Sequence, residues 1–178
     1  MTPTKKLAII AMLVAQAAVL HFLESLLPNP IPIPGVKLGL ANIITLLALL
    51  FFDFKTAMQI TVLRTILGSL LSGTLFGVGF LMSFSGAIVS TIVMGLLVYI
   101  GRGSAIAAVS VAGAAAHNVG QLVMAALILQ FAGIIYYLPF MLLFSVPTGI
   151  ITGLLVKILV EHTRAMDRSE ILKDPARL

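Results

Sequence analysis

The feature that most constrains this chain is a succession of long apolar runs separated by a few short breaks rich in glycine, proline or charge. Apolar runs begin near residues 7, 38, 56, 80, 105 and 139. Segments of this kind belong in lipid, where a helix satisfies its own backbone donors and acceptors. Composition agrees. Hydrophobic residues make up 60% and charged residues 10% of 178, whereas a soluble domain sits near half and a quarter. The expected fold class is an all-α membrane protein of six transmembrane helices. Residues 1–160 form the membrane domain, and 161–178 form a polar tail of mixed charge.

The first run needs one distinction. Lys5 and Lys6, an apolar stretch and Ala15-Gln16-Ala17 together resemble a signal peptide with its cleavage site. The run continues through Val19, Leu20, Phe22 and Leu23 to full spanning length, so it reads as a retained first helix.

Basic residues set the orientation. With the N-terminus inside, nine of the eleven Lys and Arg residues fall on the inner side, Lys37 falls outside and Arg64 lies within a helix. This asymmetry places both termini in the cytosol and the protein in the cell membrane. The net charge of +5 is therefore topological. No basic stripe with interleaved aromatics is present, which argues against a nucleic-acid partner. Without cysteine, disulfides, thiolate metal sites and cysteine nucleophiles are excluded.

Between the first two runs, Pro28, Pro30, Pro32 and Pro34 alternate with other residues, so the segment cannot be helical and reads as a stiff, extended loop. The helix after it covers about 15 residues, or roughly 22 Å, short of a hydrocarbon core of about 30 Å. The loop is thus expected to dip inward and cap a cavity. The plainer alternative is a turn whose prolines only separate two helices.

Polar residues inside the helices carry the functional signal. An arginine at mid-membrane costs about 2.5–3.5 kcal/mol even on the lenient insertion scale, so Arg64 must face the protein interior. At about 1.5 Å per residue, Asn42 and Arg64 both lie about 15 Å from the inner surface. His117, Gln121, His21 and Glu24 lie at roughly 20–25 Å. His117 and Gln121 share a helix face, Asn118 lies three residues from Gln121, and Glu24 is a candidate counter-charge for Arg64 or Lys37. The alternative role for such groups is hydrogen bonding between helices, which is the reading for Gln16, Gln59 and Gln130. For Glu24, Lys37, Asn42, Arg64, His117, Asn118 and Gln121 the pattern favours a ligand site. A guanidinium suits a carboxylate or phosphate, and walls of Leu, Ile, Phe and Met suit an apolar remainder. On the first helix, Ala8, Ala11, Ala15, Ala18 and Phe22 form a separate seam of small residues fit for a partner. Gly73/Gly77 and Gly149/Gly153 match the same small-xxx-small spacing.

Three stretches carry a family resemblance: Gly35-Val36-Lys37-Leu38-Gly39-Leu40-Ala41-Asn42, the run from Arg64 to Gly73, and Ala116-His117-Asn118-Val119-Gly120-Gln121-Leu122. Together they resemble the Gx transporter family, also named membrane heptaprenyl diphosphate synthase component I. That family is related to the S components of energy-coupling factor (ECF) transporters. The resemblance covers roughly residues 7–160. It implies an S-component-like bundle with an outward-facing site. It also implies docking of Ala11 and Ala15 on a transmembrane coupling protein driven by two cytosolic ATPases.

The two family names point to different functions. A prenyl diphosphate synthase needs paired aspartates to hold magnesium, and Asp53, Asp167 and Asp174 are isolated. No phosphate-binding glycine loop is present, so ATP hydrolysis falls to a partner. The reading is a non-enzymatic substrate binder without cofactor or metal. Its ligand is a small, mostly apolar anion, and the resemblance points to a quinone precursor such as 1,4-dihydroxy-2-naphthoate. The rival is a noncatalytic subunit associated with a polyprenyl diphosphate synthase.

Overall fold

The computed structural model describes residues 3–26, 39–101 and 105–173. The proline loop, Lys37, Arg102, Asp174 and Arg177 lie outside the described residues, as do the side chains of Arg164, Asp167, Arg168 and Lys173. Six α-helices and one 3-10 turn are formed by these described residues, in order: α1 Pro3–Leu26, α2 Leu40–Phe51, α3 Phe54–Leu71, α4 Val78–Ile100, α5 Ile106–Leu129, a 3-10 turn Ala132–Tyr137, and α6 Leu138–Lys173. There is no strand among the described residues. Among the described residues four segments are long and apolar enough to cross a membrane: those in α1, α4 and α5, and the segment from the 3-10 turn into α6. The 12-residue α2 is shorter than expected, at about 18 Å. The exterior carries exposed Leu7, Leu70, Tyr99, Leu127, Leu143 and Ile158, a surface suited to lipid rather than water.

Short connections make sequential helices antiparallel neighbours. At one end of the bundle, the Asp53 end, α2 turns into α3 under a side-chain cap. Asp53 Oδ1 accepts from the Thr56 N–H at 2.7 Å, and Oδ2 accepts from the Thr56 hydroxyl. Lys6 on α1 donates to Asp53 Oδ2 at 3.2 Å and ties the first helix to this turn. Because the Thr56 N–H favours the ionised carboxylate, with Lys6 adding to it, the Asp53 pKa lies below its ordinary value. At the opposite end, the Glu24 end, Gly39 precedes α2 with φ 76°, a left-handed conformation suited to glycine.

Close packing fixes the second half of the bundle. A Cβ added at Gly86 of α4 would lie 2.7 Å from the His117 carbonyl oxygen, and one at Gly120 of α5 would lie 2.9 Å from Gly86 Cα. Ser85 Oγ donates to the Gly120 carbonyl across the same seam at 3.0 Å. Gly149 and Gly153 lay α6 against Val111 and Ala107 of α5, so this small-xxx-small pair serves internal packing. The other glycine pair, Gly73 and Gly77, belongs to the turn between α3 and α4. Pro147 sits inside α6, where Ser145, Thr148 and Thr152 hydroxyls donate to backbone carbonyls one turn back. α6 also runs unbroken past Val160, where the sequence reading ends the sixth span.

Candidate functional site

A chain of buried hydroxyls sets the level of the site. Thr45 of α2 and Thr61 of α3 lie 3.2 Å apart, and Thr61 and Thr91 of α4 lie 2.9 Å apart. Thr61 and Thr91 each sit at 0% exposure. These bonds hold three helices in register, and the threonines escape a search for charged or amide groups. One turn toward the Glu24 end from them, at about 4.5 Å, come Asn42 on α2 and Arg64 on α3.

Arg64 is the largest fully buried side chain described, at 2% exposure. Its Nη2 donates to Asn42 Oδ1 at 3.0 Å, as their equal depths in the sequence imply. Its Nε has no hydrogen-bond partner among the described residues. Glu24 at 8% exposure is the other buried charged side chain among them. Its Oε1 accepts from the Gly39 N–H, which ties the end of α1 to the start of α2. The carboxylate also lies within electrostatic range of Arg64. Glu24 therefore holds the Gly39 amide in the same part of the bundle as the guanidinium.

On α5, Gln121 and His117 both face α4 at Gly86. Gly86 lies five residues from Thr91, about 7.5 Å toward the Glu24 end, close to the level of Arg64. Gln121 is 2% exposed, and its Oε1 has no hydrogen-bond partner among the described residues. A buried acceptor in that state costs about 1–3 kcal/mol, a cost a ligand donor would relieve. Asn118 is turned differently. Its Nδ2 donates to the Met141 carbonyl of α6 at 2.8 Å, so its amide bridges two helices. His21 of α1, also buried, packs its ring against Gly68 of α3, one turn from Arg64.

The arrangement offers charge and hydrogen bonding. Among the described residues no group of three His, Asp or Glu side chains could hold a metal ion. The seam on α1 divides in two: Ala8, Ala11 and Ala15 are exposed, and Ala18 is buried against the bundle.

An apolar helical bundle with an arginine and two carboxamides inside defines a polytopic membrane protein with an internal polar site. Within that class, the chain belongs to the heptaprenyl diphosphate synthase component I family, which it matches over residues 13–159. No curated protein and no solved structure matches it.

Proposed function

We propose that the protein is a membrane substrate-binding subunit of the S-component type, serving an importer of the ECF class in the cell membrane. Its ligand is a small, mostly apolar anion, and 1,4-dihydroxy-2-naphthoate is the probe of choice. The observation that carries this reading is the buried Arg64, held on one side by Asn42 and with its Nε unpartnered among the described residues. A fully desolvated guanidinium with a spare donor is stabilised by a carboxylate or phosphate. Gln121 Oε1 is the acceptor for a ligand hydroxyl. His117 lies on the same face, and Glu24 balances the arginine when the site is empty. Lys37, which lies outside the described residues, is the second candidate cation, and Asn118 holds α5 on α6 behind the site. The exposure of Ala11 and Ala15 supports docking of a coupling protein that brings two cytosolic ATPases. Both termini then lie in the cytosol, with 161–178 beyond the membrane domain.

The family description favours a second reading, a noncatalytic membrane subunit beside a prenyl diphosphate synthase. Calorimetric titration of the purified protein separates the two. Saturable one-to-one binding of 1,4-dihydroxy-2-naphthoate supports the binder. No heat, together with a stable complex with a soluble prenyl diphosphate synthase, supports the subunit.

A further inference from the structure

Among the described residues, the backbone of α1 packs on α2 and α3, with α4 set farther from it. Between α1 and α4, at the Glu24 end, this leaves a cleft of about 310 Å³. It is lined by His21, Phe22 and Leu26 of α1, Ser69 and Leu71 of α3, and Ser72, Thr74 and Gly79 beyond them. The rim is exposed at Leu26, Leu71, Thr74 and Gly79, whereas Ser69 and His21 form a buried floor at 1% and 5% exposure. Ser69 lies five residues from Arg64 on the same helix, about 7.5 Å along its axis. His21 rests on Gly68 between the two levels.

Polar side chains set among the ends of membrane helices, with Leu26 and Leu71 at the mouth, suit the head of an amphiphile whose body stays in lipid. We infer that this cleft is a lateral portal. Through it an amphiphilic anion passes from the bilayer toward Arg64, with its polar head on Ser69 and Thr74 and its apolar part between Leu26 and Leu71. The inference rests on the binder reading above and adds the route of entry. An apolar anion concentrates in the membrane interface, so a side entrance meets a higher local concentration than an aqueous one.

Gly79 makes the test direct. A Cβ there would meet nothing within 4 Å, so a large side chain is accommodated at the cleft lining without displacing backbone. The chain contains no tryptophan, so Gly79→Trp both obstructs the cleft and reports its surroundings. Wild type, Gly79→Ala, Gly79→Trp and Thr74→Phe are compared in liposomes, with 1,4-dihydroxy-2-naphthoate added by rapid mixing. The expected result for Gly79→Trp and Thr74→Phe is a fall of about tenfold in both association and dissociation rates. Kd stays within about twofold, because a portal changes the barrier and not the end states. Gly79→Ala behaves as wild type, and the fluorescence of the introduced indole is quenched by brominated acyl chains. Wild-type rates in both bulky variants, or quenching by acrylamide but not by brominated lipid, would overturn the portal. A weakened Kd at an unchanged association rate would also overturn it, making the cleft part of the binding site. Wild-type protein that binds no naphthoate would instead remove the binder reading and the portal with it.

Discussion

Arg64 Nη2 and Asn42 Oδ1 meet at 3.0 Å, joining α3 to α2 through a bond between a charge and a neutral amide. That bond fixes the guanidinium plane while leaving Nε unpartnered among the described residues, which is the geometry of a prepared anion site. Arg64→Lys keeps the charge but loses the planar fork, and is expected to weaken naphthoate binding at least tenfold. Asn42→Leu frees the arginine to rotate and is expected to weaken it about five- to tenfold. Equilibrium dialysis checks both.

Gln121 separates a ligand site from interhelical glue. Its buried Oε1 lacks a partner among the described residues, so Gln121→Met removes an unsatisfied acceptor at nearly constant volume. The empty protein should gain up to about 1 kcal/mol of stability, while naphthoate affinity falls about tenfold. Thermal unfolding with and without ligand reads both effects. Glue would show the reverse, a less stable protein with unchanged binding.

The seam between α4 and α5 is expected to be intolerant of bulk. Gly86→Ala places a methyl group 2.7 Å from the His117 carbonyl and from Gln121 Cγ. Overpacking of this kind typically costs about 1–3 kcal/mol. The variant should melt lower and bind more weakly, because the two helices part where His117 and Gln121 are held.

Asp53 gives a pH dependence of known sign. Its pKa is held below 3.8 by the Thr56 N–H first and by Lys6 and the Thr56 hydroxyl after it. A carboxylate lowered in the folded state contributes stability above its ordinary pKa and loses it as pH falls through the lower folded value. Melting temperature measured from pH 7 to pH 3 should therefore drop below about pH 4. Asp53→Ala should start lower and lose the part of that drop due to the cap.

Much of this was legible in the chain because apolar runs fix helix number and residue rise fixes depth. Asn42 and Arg64 come out level by counting alone, and they are bonded. Asn118 shows where counting stops. Its spacing groups it with Gln121, but its direction depends on α6, which Gly149 and Gly153 draw against α5. The threonines at 45, 61 and 91 were silent because a hydroxyl in an apolar helix ordinarily bonds to its own backbone, and only packing reveals a chain across three helices. The small-xxx-small pattern was equally ambiguous: Gly149 and Gly153 use it to pack α6 on α5, whereas Ala11 and Ala15 present it outward from a helix face.

Whether Arg64 holds an anion decides between a binder and a bundle with a structural arginine, and mass spectrometry of small molecules extracted from purified protein answers it. Wild-type protein is compared with Arg64→Ala, prepared in parallel. The expected result is an aromatic or isoprenoid anion in the wild-type extract, near one per protein, and its loss from the variant. Equal extracts from the two, with no thermal shift on adding 1,4-dihydroxy-2-naphthoate, would contradict anion binding and leave Arg64 a structural residue.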